Sequence, residues 1–259
     1  MKQKIVSSVL ILAAFFFLEG GPVHAAEKGE RERTFVRALE LFDNAKSPDD
    51  YRQCAALLEG LLVDGYQNGA VYYNLGNAYM RAGDYGKAIS VYRKAKMLRP
   101  RDEYLDANLR QALSVAPGKL PQAPPPWWKN ILFWSSWLSY PEKFHAAAAG
   151  WTLGALLASL ALLLRVKKLY TVSIVTALVA LVISIDAGLA YADVTYTQRG
   201  VVVKETVARK GIGERYEPAF DQPLKDGAEF TIIDRNGEWV FGHFEGVGDG
   251  WLPHAAVVE

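Results

Sequence analysis

The chain has 259 residues, 51% of them apolar and 22% charged, with a formal net charge of +1 and a single cysteine. The apolar share exceeds what an average soluble domain carries, and the near-zero charge offers no electrostatic footprint for nucleic acid. Cys54 alone excludes an intrachain disulfide, the four histidines do not stand at metal-ligand spacing, and no nucleophile elbow, phosphate loop or zinc motif occurs, so no catalytic residue, metal or cofactor is expected.

Lys2 and Lys4 precede an apolar run of fourteen residues, Ile5 to Leu18. At ~1.5 Å per residue the run makes about 21 Å of helix, short of a ~30 Å hydrocarbon core. Glu19, Gly20, Gly21 and Pro22 break it, and Val23-His24-Ala25 fits a small-x-small cleavage site. Residues 1–25 therefore have the pattern of a secretory signal peptide, with the following chain exported and, without a nearby cysteine, no lipid anchor.

Residues 69–102 carry Tyr72, Leu75, Gly76, Tyr79, Gly83, Tyr85, Ala88, Tyr92, Ala95 and Pro100. Tyr72, Leu75, Gly76 and Tyr79 fall at i, i+3, i+4, i+7, one face of a helix; Ala88, Tyr92 and Ala95 repeat the spacing in a second helix, and Gly83-Asp84 supplies the turn. The pattern resembles the tetratricopeptide repeat, with its 34-residue period. A weaker copy runs from Phe35 to Asn68, with Tyr51, Cys54, Leu58 and Leu61 in the places of Tyr85, Ala88, Tyr92 and Ala95. That makes Cys54 a small core residue. Glu103 to Leu113 reads as the closing helix such repeats need to cover their last apolar face. An α-helical repeat solenoid is thus expected over 34–114. The resemblance implies a concave groove for peptide or protein segments, lined by Tyr73, Asn77 and Arg81 and, in the closing helix, by Tyr104 and Asn108. Asn77 and Asn108 would hold a peptide backbone, since an amide both gives and takes a hydrogen bond. Both are also common consensus residues, and the lysines of a carboxylate clamp are absent, with Tyr73 in one of their places. Changing both asparagines to alanine is expected to weaken a partner while leaving the melting nearly unchanged.

A proline-rich spacer follows over 115–126. Four of the seven tryptophans then crowd into Trp127 to Trp137. Trp127, Ile131, Trp134 and Leu138 follow i, i+4, i+7, i+11, and tryptophan partitions to the membrane interface. Residues 127–141 are read as an interfacial helix lying on the bilayer; an aromatic docking site for a partner is the alternative. Ala146 to Leu164 is nineteen residues without charge, about 28 Å of helix. Spans are expected at 145–164 and 169–192, joined by 165–168. Arg165, Lys167 and Lys168 in that short loop place it in the cytoplasm, and both soluble parts outside. Gly150 and Gly154 in the first span, and Ser184 and Gly188 in the second, belong to stripes of small residues at every fourth position. A hairpin turning about Leu169 would pair Gly150 with Gly188 and Gly154 with Ser184. Asp186 would then face lipid or another protein, at a cost relieved by shallow depth or by a polar partner.

From about Gly200 the chain is β-rich, with Asn236-Gly237 as a hairpin turn signal. Ala208-Arg209, Pro223 to Phe230, Asp234 with Trp239, and the closing Asp249-Gly250-Trp251-Leu252-Pro253 resemble a bacterial SH3 domain, implying an all-β SH3-like barrel over 199–259. Trp239 and Pro253 match its peptide-binding surface. Ala256 stands where a groove tyrosine would be, and core packing of Trp239 and Trp251 is the alternative.

The order of signal, repeats, proline-rich linker, tryptophan segment, two spans and SH3-like domain is similar to BatE-type proteins of the aerotolerance operon. That resemblance implies a non-enzymatic scaffold in a bacterial inner membrane. Its partners would be von Willebrand factor A (VWA) domain membrane proteins and a MoxR-type ATPase. The alternative is a protein that binds peptidoglycan or senses envelope stress through the SH3-like domain.

Overall fold

The computed structural model describes residues 22–63, 68–120 and 133–259. The signal-peptide segment before Pro22, the proline-rich segment 121–126 and residues 127–132, with Trp127 and Ile131, lie outside the described residues.

Five helices form the first unit: α1 (Pro22–Asn44), α2 (Pro48–Gly60), α3 (Gly69–Ala82), α4 (Tyr85–Leu98) and α5 (Glu103–Val115). Their starts are local chemistry. Ser47 and Asp50 form a reciprocal capping box, with Pro48 in the first turn of α2. Asn68 caps α3 by accepting from Ala70 N at 2.8 Å, and Asp102 caps α5 by accepting from Leu105 N at 3.0 Å. Gly83 closes α3 at φ 82°, where a side chain would be strained. The expected inward residues are inside: Cys54, Leu58, Ala88, Tyr92 and Ala95 are fully buried. Cys54 donates to Ala38 O, and burial pushes its thiol pKa up. Gly76 is needed for packing, because a Cβ there would stand 2.4 Å from the Tyr92 ring. Helix α1 begins well before Phe35, where the weaker repeat copy was placed.

The tryptophan segment departs from a single interfacial helix. Phe133–Ser136 is a 3-10 turn, and the chain then restarts as a new helix. Ser139 and Glu142 form a capping box with Pro141 in the first turn, a start signal that separates the new helix from the 3-10 turn before it.

That new helix, α6 (Tyr140–Leu164), and α7 (Lys167–Tyr196) are both long and apolar enough to cross a membrane. They run antiparallel, in contact along their lengths. Arg165 adopts the left-handed conformation, φ 53°, so the chain reverses through Arg165 and Val166 and α7 starts at Lys167. The turn therefore does not centre on Leu169. The register shifts by about two helical turns: a Cβ on Gly150 would lie 2.9 Å from Ala180 Cβ, and Gly154 faces Ser173 and Ala177. A Cβ on Gly188 would meet nothing within 4 Å.

The C-terminal unit is a five-stranded antiparallel sheet of order β4-β3-β2-β1-β5. The strands are β1 (Arg199–Val202), β2 (Glu229–Asn236), β3 (Trp239–Phe244), β4 (Gly248–Pro253) and β5 (Val257–Val258). Asn236 pairs with Trp239 across a tight turn at Gly237, φ 59°. Val202, Phe230, Val240, Phe244 and Leu252 form its core.

The sheet is docked on α4 and α5. Arg93 makes a bidentate pair with Glu229, at 2.8 and 2.9 Å. Asp226 accepts from Gly86 N at 3.0 Å, supplying to α4 the N-terminal cap that the local Asp84 does not provide. Gly227, at φ 92°, approaches Ala116 so closely that a Cβ would sit 2.5 Å from it. Val201 of β1 belongs to the same core as the repeat helices.

Candidate functional site

Three of the five residues expected to line the repeat groove, Tyr73, Asn77 and Asn108, meet in one polar network. Asn77 sits on α3 and Asn108 on α5, facing each other across the helix packing. Asn77 Oδ1 accepts from the Tyr92 hydroxyl at 2.7 Å and from Asn108 Nδ2 at 2.8 Å. Asn108 Nδ2 also reaches the Tyr73 hydroxyl at 3.3 Å. The Tyr73 ring lies 6.4 Å from that of Tyr92, with the Arg99 guanidinium 5.4 Å from its centroid. Burial, then the nearby Tyr73, hold the Tyr92 phenol pKa above its ordinary value, so this hydroxyl stays a donor. Asn77 Nδ2 and Asn108 Oδ1 have no partner among the described residues. One amide donor and one amide acceptor are left, the two kinds of group a peptide unit pairs with. Arg81 is exposed in the last turn of α3, outside this network. Tyr104, at the start of α5, is 79% exposed.

The network also changes what an alanine substitution does. Tyr92 is fully buried, and its hydroxyl loses its acceptor if Asn77 is shortened. An unpaired buried hydroxyl costs roughly 1–3 kcal/mol, so unchanged melting is not expected for the double alanine variant.

In the sheet, Trp239 stands opposite Pro253 and Phe241 opposite Trp251 on neighbouring strands β3 and β4. The Phe241 and Trp251 ring centroids are 5.0 Å apart. All four side chains are half-buried and alternate with the buried Val240, Gly242 and Leu252, so they occupy the outer face. His243 and Asp249 continue the row as the next cross-strand pair, with Nδ1 and Oδ1 at 2.5 Å.

Between the long helices, Ser184 accepts from the Trp151 indole at 3.0 Å and donates to Ala180 O at 2.7 Å, while Ser173 donates to Gly154 O at 3.0 Å. Asp186 does not face away from the first long helix, as the expected register required. Its side chain is 7% exposed and lies 3.2 Å from Lys143 Nζ, itself 4% exposed. Ser135 donates to Asp186 Oδ1 at 2.7 Å, and Lys143 donates to Ser135 Oγ at 2.9 Å. The three residues tie the 3-10 turn, α6 and α7 together. Lys143 is not singled out by the sequence pattern because it precedes the uncharged run. Centring the turn on Arg165 would have brought it level with Asp186.

Arg101, in the loop before α5, holds the start of α6 through Glu142 at 2.6 and 3.1 Å and the Trp137 carbonyl at 2.8 Å.

A tetratricopeptide-repeat family model matches residues 69–102, which are α3, α4 and the turn that follows. Comparison with curated proteins finds no match. The chain thus contains a tetratricopeptide repeat, a module suited to protein–protein contact, beside two apolar helices compatible with two membrane spans.

Proposed function

We propose that the protein is a non-enzymatic, membrane-anchored scaffold whose repeat groove holds an extended peptide or protein segment. The observation that carries this is the hydrogen bond between Asn77, inside the matched tetratricopeptide repeat, and Asn108 on the helix that follows it, with one amide donor and one amide acceptor unspent. Tyr73 and the exposed Tyr104 would flank the bound segment and supply apolar contact. The helices α6 and α7 would span a bacterial inner membrane. The basic connection Arg165, Lys167 and Lys168 favours its placement in the cytoplasm, which puts the repeat and the sheet together on the periplasmic side. Their mutual docking through Arg93 and Glu229 agrees with a shared compartment. The resemblance to BatE-type proteins makes VWA-domain membrane proteins and a MoxR-type ATPase the partners to test first.

Two measurements test this reading. A reporter active only in the cytoplasm should be silent after Ser114 and after Glu259, and active within Arg165–Lys168; activity after Glu259 refutes two spans. Asn77→Asp keeps the acceptor for Tyr92 and Asn108 while removing the amide donor. It should weaken crosslinking to partners in native membranes, with Tyr92→Phe as the control for core effects. Equal crosslinking in both variants refutes the groove.

A second reading has its own observation. The outer row Trp239, Pro253, Phe241 and Trp251 on an SH3-like sheet would suit contact with peptidoglycan. Co-sedimentation of the full chain with sacculi, lost in Trp251→Ala, would favour it over the groove.

A further inference from the structure

Where the repeat unit, the sheet and the end of α7 meet, the chain encloses a cleft of about 800 Å³, within the ~300–1,000 Å³ typical of ligand sites. Met97 of α4, Leu113 of α5, Leu120, Val201 and Phe230 give it an apolar lining, and one wall is the end of α7, with Val194 in its last turn and Thr197 just after it. Val194 lies about 39 Å along α7 from Lys168 at ~1.5 Å per residue. If α7 spans the membrane, as proposed above and as this inference requires, the cleft opens beyond the ~30 Å hydrocarbon core, at the headgroups of the leaflet opposite the Arg165 connection.

Its charges are mostly spent on one another. Arg93 pairs with Glu229, Arg199 with Asp193 and Arg235 with Glu259. Lys94, Lys96 and Lys119 remain against Glu245. Lys96 shares Asp106, and Lys94 donates to the main-chain oxygen of Glu259. Lys119 is left as the ammonium without a partner among the described residues. A low-dielectric cleft with a cationic excess concentrates anions.

We infer that the cleft binds an anionic phospholipid of that leaflet, with the phosphate met by Lys119 and Lys94 and the upper acyl chain laid along the apolar lining. The same lipid would bridge the repeat, the sheet and the second span.

The test uses the purified full chain in detergent, titrated with phosphatidylglycerol and with phosphatidylcholine of the same acyl chains, and read by native mass spectrometry. Phosphatidylglycerol should bind at severalfold lower concentration. Lys119→Gln should cost that preference about fivefold, the equivalent of ~1 kcal/mol per basic residue at an anionic membrane surface. Lys210→Gln, an exposed lysine outside the cleft lining, should leave it intact. Equal binding of the two lipids, or an equal effect of the two lysine variants, overturns the site. Alkaline carbonate extraction of native membranes separates the failures. If the chain stays in the membrane and shows no lipid preference, only the cleft site falls; if carbonate releases the chain, the spanning helices and the lipid site fall together.

Discussion

The Lys143–Asp186 pair yields an asymmetric prediction. Asp186 lies about 27 Å along α7 from Lys168, just inside the outer limit of a ~30 Å hydrocarbon core, and both side chains are almost fully buried. Lys143→Met strands the carboxylate, whose single methylene cannot carry it to water; only the Ser135 hydroxyl remains. Removing one member of a buried pair costs roughly 3–5 kcal/mol. Asp186→Asn strands an ammonium on a four-carbon stem that can extend toward the headgroups, so its cost should be smaller, about 1–2 kcal/mol. The double variant, Lys143→Met with Asp186→Asn, leaves no buried charge and should lie within ~1 kcal/mol of the parent. Unfolding in SDS mixed micelles, read by tryptophan fluorescence, measures all three, because the Trp151 indole reports the contact with Ser184. Additive costs in the double variant, or a larger cost for Asp186→Asn than for Lys143→Met, would refute both the pairing and the depth assigned to it.

The register of the two long helices is open to disulfide trapping. In a Cys54→Ser background, cysteines at Gly150 and Ala180 should crosslink within one chain and those at Gly150 and Gly188 should not; the opposite result restores the register with its turn at Leu169. Asp226→Ala removes the carboxylate that caps α4 from the sheet and should lower stability by about 1 kcal/mol, with faster amide exchange at Tyr85 and Gly86 than at the capped start of α5.

What the sequence determined by itself is what neighbours within a turn of one another decide. The helix starts at Ser47, Asn68, Asp102 and Ser139 rest on a side chain meeting a backbone N–H two or three residues away. The inward faces carrying Leu75, Gly76, Ala88 and Tyr92 rest on helical periodicity, the tight turn at Gly237 on its tolerance of positive φ, and the two long helices on uninterrupted apolar runs. Asn77 and Asn108 could be named because the repeat pattern and its closing helix fix their positions. That their carboxamides engage each other and Tyr92 could not, because the contact joins three helices. Tertiary structure decided the rest. One residue in the left-handed conformation, Arg165, reverses the chain about a turn earlier than the stripes of small residues implied. Because the helices run antiparallel, that displacement doubles in the register: Ala180 comes opposite Gly150, and Asp186 turns toward Lys143. The Arg93–Glu229 pair and the Asp226 cap join residues far apart in the chain, and no local pattern encodes such a pairing. It depends on the packing of the sheet against the repeat helices, where complementary charge and the space left by Gly227 are satisfied together.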